Sequence, residues 1–409
     1  MRQKHVIVVG GGASGLVAAI TAARGGAQVT ILEQKDRVGK KILSTGNGRC
    51  NFTNACMKEE YFRGDETTIV AEVLRMFGYR EAIAFFENLG VISKNRNGYM
   101  YPISDQASTI LDVLYMEVKR LGISVRLNEK VIDVKPNSKG FFVKTNQGMH
   151  EGDAVILASG GKAASVLGSD GSGYALAKSL GHTLSPVVPA LVQLKCKGDF
   201  FKQLAGVRTQ AKVDLYVEDQ LVATDVGELQ LTNYGISGIP VFQVSRFAAK
   251  ALYYKKHTKA VIDFFPSMDQ DAFWNCFTER LKHHSTKTAE EFLIGMFHKK
   301  LIGVLLKEAG IRLRTPVSEI SQKQWQQFSK MCKHFELVVE ATNDFEQAQV
   351  CAGGVRTTEI DHATMESIYV KNLYLIGELI DIDGICGGYN LHWAWATGYL
   401  AGQSAARTT

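Results

Sequence analysis

The chain has 409 residues, 45% of them apolar and 22% charged, with a formal net charge of +6. That composition is a soluble globular one, and the length exceeds a single ordinary core, so two or three domains are expected. No window of eighteen apolar residues occurs, which argues against a transmembrane helix and against stable membrane insertion. The charge forms no long basic run, so an anionic substrate or weak nucleic-acid contact is allowed but not implied. Seven cysteines (Cys50, Cys56, Cys196, Cys276, Cys332, Cys351 and Cys386) include no C-x-x-C, so neither a zinc site nor a disulfide framework is expected. Their odd number, and a first strand that begins by His5, leave no room for a signal peptide and point to the cytoplasm.

Val6-Ile7-Val8-Val9 is a β-branched apolar run that leads into Gly10-Gly11-Gly12-Ala13-Ser14-Gly15. A small-residue helix pattern follows from Leu16 to Arg24, then a second strand, Val29–Leu32, ending at Glu33. Strand, glycine turn, helix, strand and acid form a dinucleotide fingerprint. Gly10 makes the turn, Gly12 allows a pyrophosphate close to the backbone, and Gly15 lets helix and strand approach. The helix N-terminus offers N–H groups to phosphate. Glu33, 18 residues after Gly15, is placed to accept from ribose hydroxyls.

The stretch 34–41 is polar and turn-rich, and 43–54 holds too much glycine and asparagine for a regular element. Long loops of that kind often carry function. Residues 66–92 read as two helices, with their aromatics in the core, and 106–121 as an amphipathic helix. Strands are expected at 123–127, 130–134 and 140–145, together resembling a small antiparallel excursion, with Val131 where backbone groups meet an adenine edge. A buried strand, 153–158, runs into Ser159-Gly160-Gly161, and Gly168–Gly173 opens a helix over 174–180. Pro186 and Pro189 mark a boundary near 190.

Beyond it, alternating runs at 210–217, 221–223, 228–231 and 260–264 predict an antiparallel sheet or small barrel. Residues 269–331 read as helical, with Trp274, Phe277 and Leu281 on one face. His283, His284 and His298 match no metal-ligand spacing and are read as surface, so no metal is expected. A strand returns at 335–340, a turn at 351–355, and a buried strand at 373–376. The glycine-rich segment 384–390 then opens a helix over 391–405, too short for a bilayer.

Taken together, several motifs resemble those of the flavoproteins with a glutathione-reductase-like FAD fold, in the group of YhiN-like proteins, the bile-acid-inducible flavoprotein BaiN and aminoacetone oxidase. They are Gly10–Gly15, Gly39-Lys40-Lys41 with Thr45-Gly46-Asn47-Gly48-Arg49-Cys50-Asn51, Ala158-Ser159-Gly160-Gly161, Thr232–Gly238, Ala352–Val355, and Gly377-Glu378 through Gly387-Gly388-Tyr389-Asn390. The resemblance implies an α/β fold: a discontinuous Rossmann-type FAD domain (1–190 and 350–409), a β-barrel-like domain (191–268 and 334–349) and a small helical domain (269–333). It implies an FAD site drawn from Gly10, Gly12, Ala13, Ser14, Gly15, Glu33, Gln34, Arg37, Lys41, Ser44, Gly46, Asn47, Gly48, Arg49, Cys50 and Asn51. Val131, Ala158, Gly160, Gly161, Gly377, Glu378, Gly388, Tyr389, Asn390 and Leu391 complete it. By analogy Arg37 and Lys41 lie near the adenosine, Glu378 near the ribityl or pyrophosphate, and the helix start at Gly388–Leu391 faces the N1/O2 edge of the flavin, where reduced flavin carries negative charge. Two positions depart from the family pattern: Asn233 replaces its histidine and Cys386 its threonine.

The leading expectation is an NAD(P)H-dependent reductase of an activated C=C, such as a 3-oxo-4-ene or 4,6-diene steroid, with NAD(P)H bound transiently because no second fingerprint occurs. The substrate is then a small apolar or anionic molecule, and no nucleic acid is needed. A donor must polarise the carbonyl, and Tyr234, Tyr389 and Arg49 are the candidates. Alternatives are an oxidase of a small amine using O2, an RNA-associated flavoprotein and a non-catalytic FAD binder. A disulfide reductase using Cys50 and Cys56 fits poorly, since five residues separate them where that class has four.

Overall fold

A computed structural model describes residues 3–407, which divide into two compact units: the chain up to Val188 with the chain from Gln349, and Pro189–Ala348. In the first unit the run at Val6–Val9 is buried on both faces, the pattern of a central parallel strand. It lies in a five-stranded parallel sheet ordered Leu373–Leu375, Ala154–Leu157, His5–Val9, Gln28–Leu32, Ser124–Arg126. Val6 stands opposite Ala154 on one side and Val29 on the other. The strand order reverses at His5–Val9, so its carboxyl end is a topological switch point, where open α/β sheets take ligands.

The helix Ala13–Arg24 is buried from Ser14 to Ala22 because the last helix, Tyr389–Ala406, lies against it. A Cβ on Gly398 would stand 2.5 Å from the Ser14 carbonyl oxygen, and one on Gly402 2.5 Å from that of Ala18. The small residues of both helices therefore set a backbone-to-backbone contact. Arg24 and Arg120 converge on the Glu117 carboxylate, tying Ala13–Arg24 to Ala107–Arg120. The Arg120 hydrogen bond, with Arg24 second among the favourable contacts, holds that carboxyl at about 2.

The structure corrects the expected excursion. Ser124–Arg126 pairs in parallel with Thr30–Leu32 as the sheet edge, because it follows a crossover helix rather than a hairpin. The antiparallel excursion is instead Val131–Asn137, Gly140–Thr145 and Met149–Gly152. The glycine-rich loop is more ordered than expected: Thr45–Gly48 is a 3-10 turn with Gly46 and Asn47 left-handed, and Thr53–Asn54 pairs with Tyr99 and Met100.

The second unit is a closed six-stranded barrel of Leu194–Cys196, Gly235–Gly238, Gln220–Leu231, Arg208–Val217, Thr258–Asp263 and Phe335–Thr342, in that order. Residues 221–223 and 228–231, expected as two strands, form one, since Arg208–Val217 carries the ladder through with a bulge at Leu215/Tyr216. The helix Ile239–Tyr253 packs on the barrel. Helices Gln270–His283, Ala289–Leu293, Lys299–Glu308 and Gln322–Lys333 enclose Phe277, which meets Phe292, Trp325 and Phe328. Asp269, Thr288 and Ser321 cap three of them. Among the described residues no helix is long and apolar enough to cross a membrane.

Candidate functional site

At the carboxyl end of the first strand, Gly10 turns with φ 105 and its N–H donates to Leu32 O. A Cβ on Gly15 would lie 2.0 Å from Gly10 O and one on Gly10 2.5 Å from Ala158 O, so strand, helix and neighbouring strand meet there without side chains. Gly12 differs: nothing lies within 4 Å of its absent Cβ. It caps Ala13–Arg24 with no side-chain hydrogen bond and no acid in the first turn, leaving the helix N-terminus open to an anion.

Glu33 is buried, with Oε2 accepting from Gly11 N and Oε1 from Lys35 N, each at 2.8 Å. Burial pushes its carboxyl up, and the two N–H groups pull it back. Gln34 Nε2 donates to Gly168 O, bringing the 168–173 motif beside the acid. Arg37 is exposed, and Val131 is buried in register with Thr145. Lys41 Nζ pairs with Glu378 Oε2 at 2.7 Å, and Glu378 Oε1 accepts from Cys351 N. An added Cβ on Gly161 would lie 3.0 Å from Glu378 Oε1, and one on Gly377 2.7 Å from Ser14 Oγ. Residues from the two chain ends therefore share one place. Gly160, left-handed with φ 72, faces Ser169 Oγ.

The second open helix end is that of Tyr389–Ala406, where Gly388 has φ 93 and no side chain caps Tyr389, Asn390 or Leu391. Asn51 Oδ1, buried without a partner, would stand 2.9 Å from a Cβ on Gly388. The Asn390 amide is spent on both backbone groups of Gly384. Tyr389 Oη donates to Cys56 O at 2.9 Å, with its ring against Tyr61 and Phe62. Ser44, Gly46, Asn47, Gly48 and Arg49 are exposed. Cys50 is fully buried and its thiol is pushed up to about 12 by desolvation, whereas Cys56 is exposed; both are free thiols.

These features fit the flavin dinucleotide implied above. Two uncapped helix ends suit phosphate and an electron-rich ring edge. Ser159 Oγ and Asn51 Oδ1 are buried polar atoms with no hydrogen-bond partner among the described residues, and Gly12 opens onto empty space. Gly11, Lys35, Ser159, Gly168, Ser169 and Cys351 belong to this neighbourhood although sequence reasoning did not nominate them. The glycine runs at 159–161, 168–173 and 351–354 were the available signal.

Tyr234 lies in the second unit, in the turn between two barrel strands. It is half-buried, and its Oη accepts from Asn343 Nδ2 at 2.8 Å. His283 pairs with Glu279, and His298 Nδ1 caps the helix Lys299–Glu308.

Comparison with known proteins gives three findings. The family described as HI0933-like protein Rossmann domain matches residues 4–404. The chain is 53% identical over 406 residues, 99% of each sequence, to a 3-dehydro-bile acid delta(4,6)-reductase of Clostridium scindens, and 26% identical over 407 residues, 98% of each, to a ribosomal RNA dihydrouridine synthase of Escherichia coli. Among solved structures, a 3-ketosteroid-delta4-(5alpha)-dehydrogenase from Rhodococcus jostii RHA1 shares the fold, with a TM-score of 0.51 at 15% identity, covering 100% of this chain and 98% of that one.

Proposed function

The chain belongs to the HI0933-like family, and from that premise we propose that it is an FAD-dependent reductase of a C=C bond conjugated to a ketone. The substrate we assign is a 3-oxo-4-ene or 4,6-diene steroid of the bile-acid type, and the electron donor NAD(P)H. The observation that carries the reading is the 53% identity to the Clostridium scindens reductase across 99% of both sequences.

FAD, when bound, supplies a hydride carrier that accepts from one partner and delivers to another. The chain supplies binding and polarisation. Gly12–Gly15 would hold the pyrophosphate on the first helix end and Glu33 the adenosine ribose, while Asn51, beside Gly388, would offer a polar atom at the second helix end. The uncapped end at Gly388–Leu391 favours negative charge beside it. Reducing the β-carbon of an enone leaves negative charge on its oxygen, which a positioned hydroxyl stabilises. Of the three candidate donors, Tyr389 gives its hydrogen to Cys56 O, and Arg49 is an exposed cation suited to an anionic group on the substrate. Tyr234, the third candidate, accepts from Asn343 Nδ2 through its Oη.

The test is anaerobic. The yellow holoprotein should bleach with NADH or NADPH and regain its colour on adding a 4-ene-3-one steroid. Reoxidation by O2 alone would overturn the reading. The Escherichia coli relative supports a second reading, reduction of uracil in RNA, whose C5=C6 bond is also conjugated to a carbonyl. That reading expects co-purifying RNA, released steeply by salt.

A further inference from the structure

We infer that Arg49 and Arg96 form a subsite for an anionic group at the far end of the substrate, with Tyr99 and Tyr101 as the platform for its apolar body; this rests on the enone-reductase reading above. The subsite lies wholly in the first unit. Its scaffold is the small antiparallel sheet ordered Thr53–Asn54, Tyr99–Pro102, Ser93–Arg96. Residues directly opposite each other share a face of a sheet, and successive residues alternate between faces. Arg96 stands opposite Tyr99 and Lys94 opposite Tyr101, whereas Met100 and Pro102 alternate to the other face and are buried. One face therefore carries two tyrosines and two cations. Tyr99 is 42% exposed, a large ring left to solvent on that face.

One end of this face meets the residues nominated for the flavin. Asn54, paired with Tyr99, donates from Nδ2 to Gly387 O at 3.0 Å. A Cβ on Gly387 would stand 2.9 Å from Tyr99 Cε1, one residue before the helix start at Gly388. A Cβ on Gly46 would lie 3.1 Å from Asn51 N and 3.7 Å from Tyr101 Cε1. Both rings thus border the cradle drawn from Gly46, Asn51 and Gly388.

The other end is cationic. Asp105 Oδ2 accepts from Lys94 Nζ and, at 2.7 Å, from Arg96 Nη2. One carboxylate cannot neutralise two cations. Arg96 remains 45% exposed, with its guanidinium 5.6 Å from the centre of the Tyr101 ring. Arg49 is exposed, and its guanidinium has no ion pair or hydrogen bond among the described residues. It adds its charge at the same place: burial pushes the Tyr101 phenol up, and the Arg96 and Arg49 charges pull it back. Arg49, Lys94 and Arg96 against Asp105 leave an excess of positive charge beside an aromatic face. A guanidinium meets a carboxylate through two parallel N–H donors, and its plane stacks on rings. An elongated apolar molecule that ends in a carboxylate complements this order, with its reducible ring at the flavin, its body along the tyrosines and its acid at the arginines. A steroid of the bile-acid type has that form.

The experiment uses holoprotein and two ligands, a 3-oxo-4-ene steroid with a free side-chain acid and its methyl ester. Wild type should show a kcat/KM roughly tenfold higher for the acid, mostly through KM, and the advantage should shrink as salt rises. Arg96→Gln should lower that ratio, the Arg49→Gln/Arg96→Gln pair should abolish it, and Arg96→Glu should favour the ester. The ratio compares two ligands on one preparation, so a loss of folded or flavin-loaded protein does not move it. A second readout needs no turnover: the saturated 3-oxo acid should perturb the flavin spectrum with a Kd raised roughly tenfold in the double variant. Equal rates on acid and ester in wild type, or a wild-type ratio kept in Arg96→Glu, would overturn the proposal alone. RNA retained by wild type but not by Arg96→Glu, with acid and ester reduced equally, would overturn it in favour of a nucleic-acid contact on this face. A wild type that reduces no enone overturns the reaction assignment and this inference with it.

Discussion

His392 has no exposed surface, yet it sits in the helix that opens at Gly388. Its Nε2 donates to Phe77 O at 3.0 Å and its Nδ1 accepts from Thr53 Oγ1 at 2.9 Å, an arrangement for the neutral ring. Burial pushes the imidazole down to about 4. The unfolded chain takes up this proton near pH 6.5 and the folded one only near 4, so the neutral ring's contribution is fully present above about 6.5 and is lost as the pH falls toward 4. The loss amounts to about 3 kcal/mol. Urea midpoints at pH 7.5 and pH 5 should differ by about 2 kcal/mol of that total, the rest being lost only below pH 4, and His392→Gln should flatten the difference. The glycines give a second contrast. Gly15→Ala drives a methyl to 2.0 Å from Gly10 O and should unfold or strip the first unit of flavin. Gly12→Ala meets no atom within 4 Å, so the protein should keep its melting temperature without cofactor but hold less FAD, read as flavin absorbance per chain.

Among the elements, the helices were largely legible because their caps and periodicity are local. Ser321 shows why: its Oγ accepts from Gln324 N while Gln324 Oε1 accepts from Ser321 N. Ser321→Ala should cost about 1 kcal/mol of stability, seen as a lower denaturant midpoint with activity retained. Strands were less legible. Gln220–Leu231 looked broken at 224–227, where Asp225 and Gly227 interrupt the pattern, but Arg208–Val217 pairs with it throughout. Ser124–Arg126 was assigned to the wrong sheet because three residues carry little period, and only their parallel partner, Thr30–Leu32, fixes them. Met149–Gly152 escaped notice because it is largely polar and exposed, held by Phe141–Lys144 rather than by a hydrophobic face.

Among the described residues the buried apolar side chains form two hydrophobic cores, one in each compact unit. All the nominated FAD residues fall in the first unit. Calorimetry should therefore show the transition of the first unit rising with added FAD by mass action while that of the second moves little. A single transition that shifts as one would contradict this.

The sequence by itself determined the fold class, the dinucleotide fingerprint from Val6 to Glu33, and the family. Each depends on residue types at short, fixed spacings, which local backbone geometry reads directly. It also nominated Ser14, Gly161, Gly377 and Glu378, but nothing local says that residues more than 200 apart share one corner. That adjacency comes from the sheet order, which sets Leu373–Leu375 beside Ala154–Leu157 and that strand beside His5–Val9. The Lys41–Glu378 ion pair, the partnerless Asn51 Oδ1 beside Gly388, and the Asn343–Tyr234 hydrogen bond were decided only by tertiary structure. A hydrogen bond depends on tenths of an ångström between atoms distant in sequence, and only the closed sheet and barrel fix those distances.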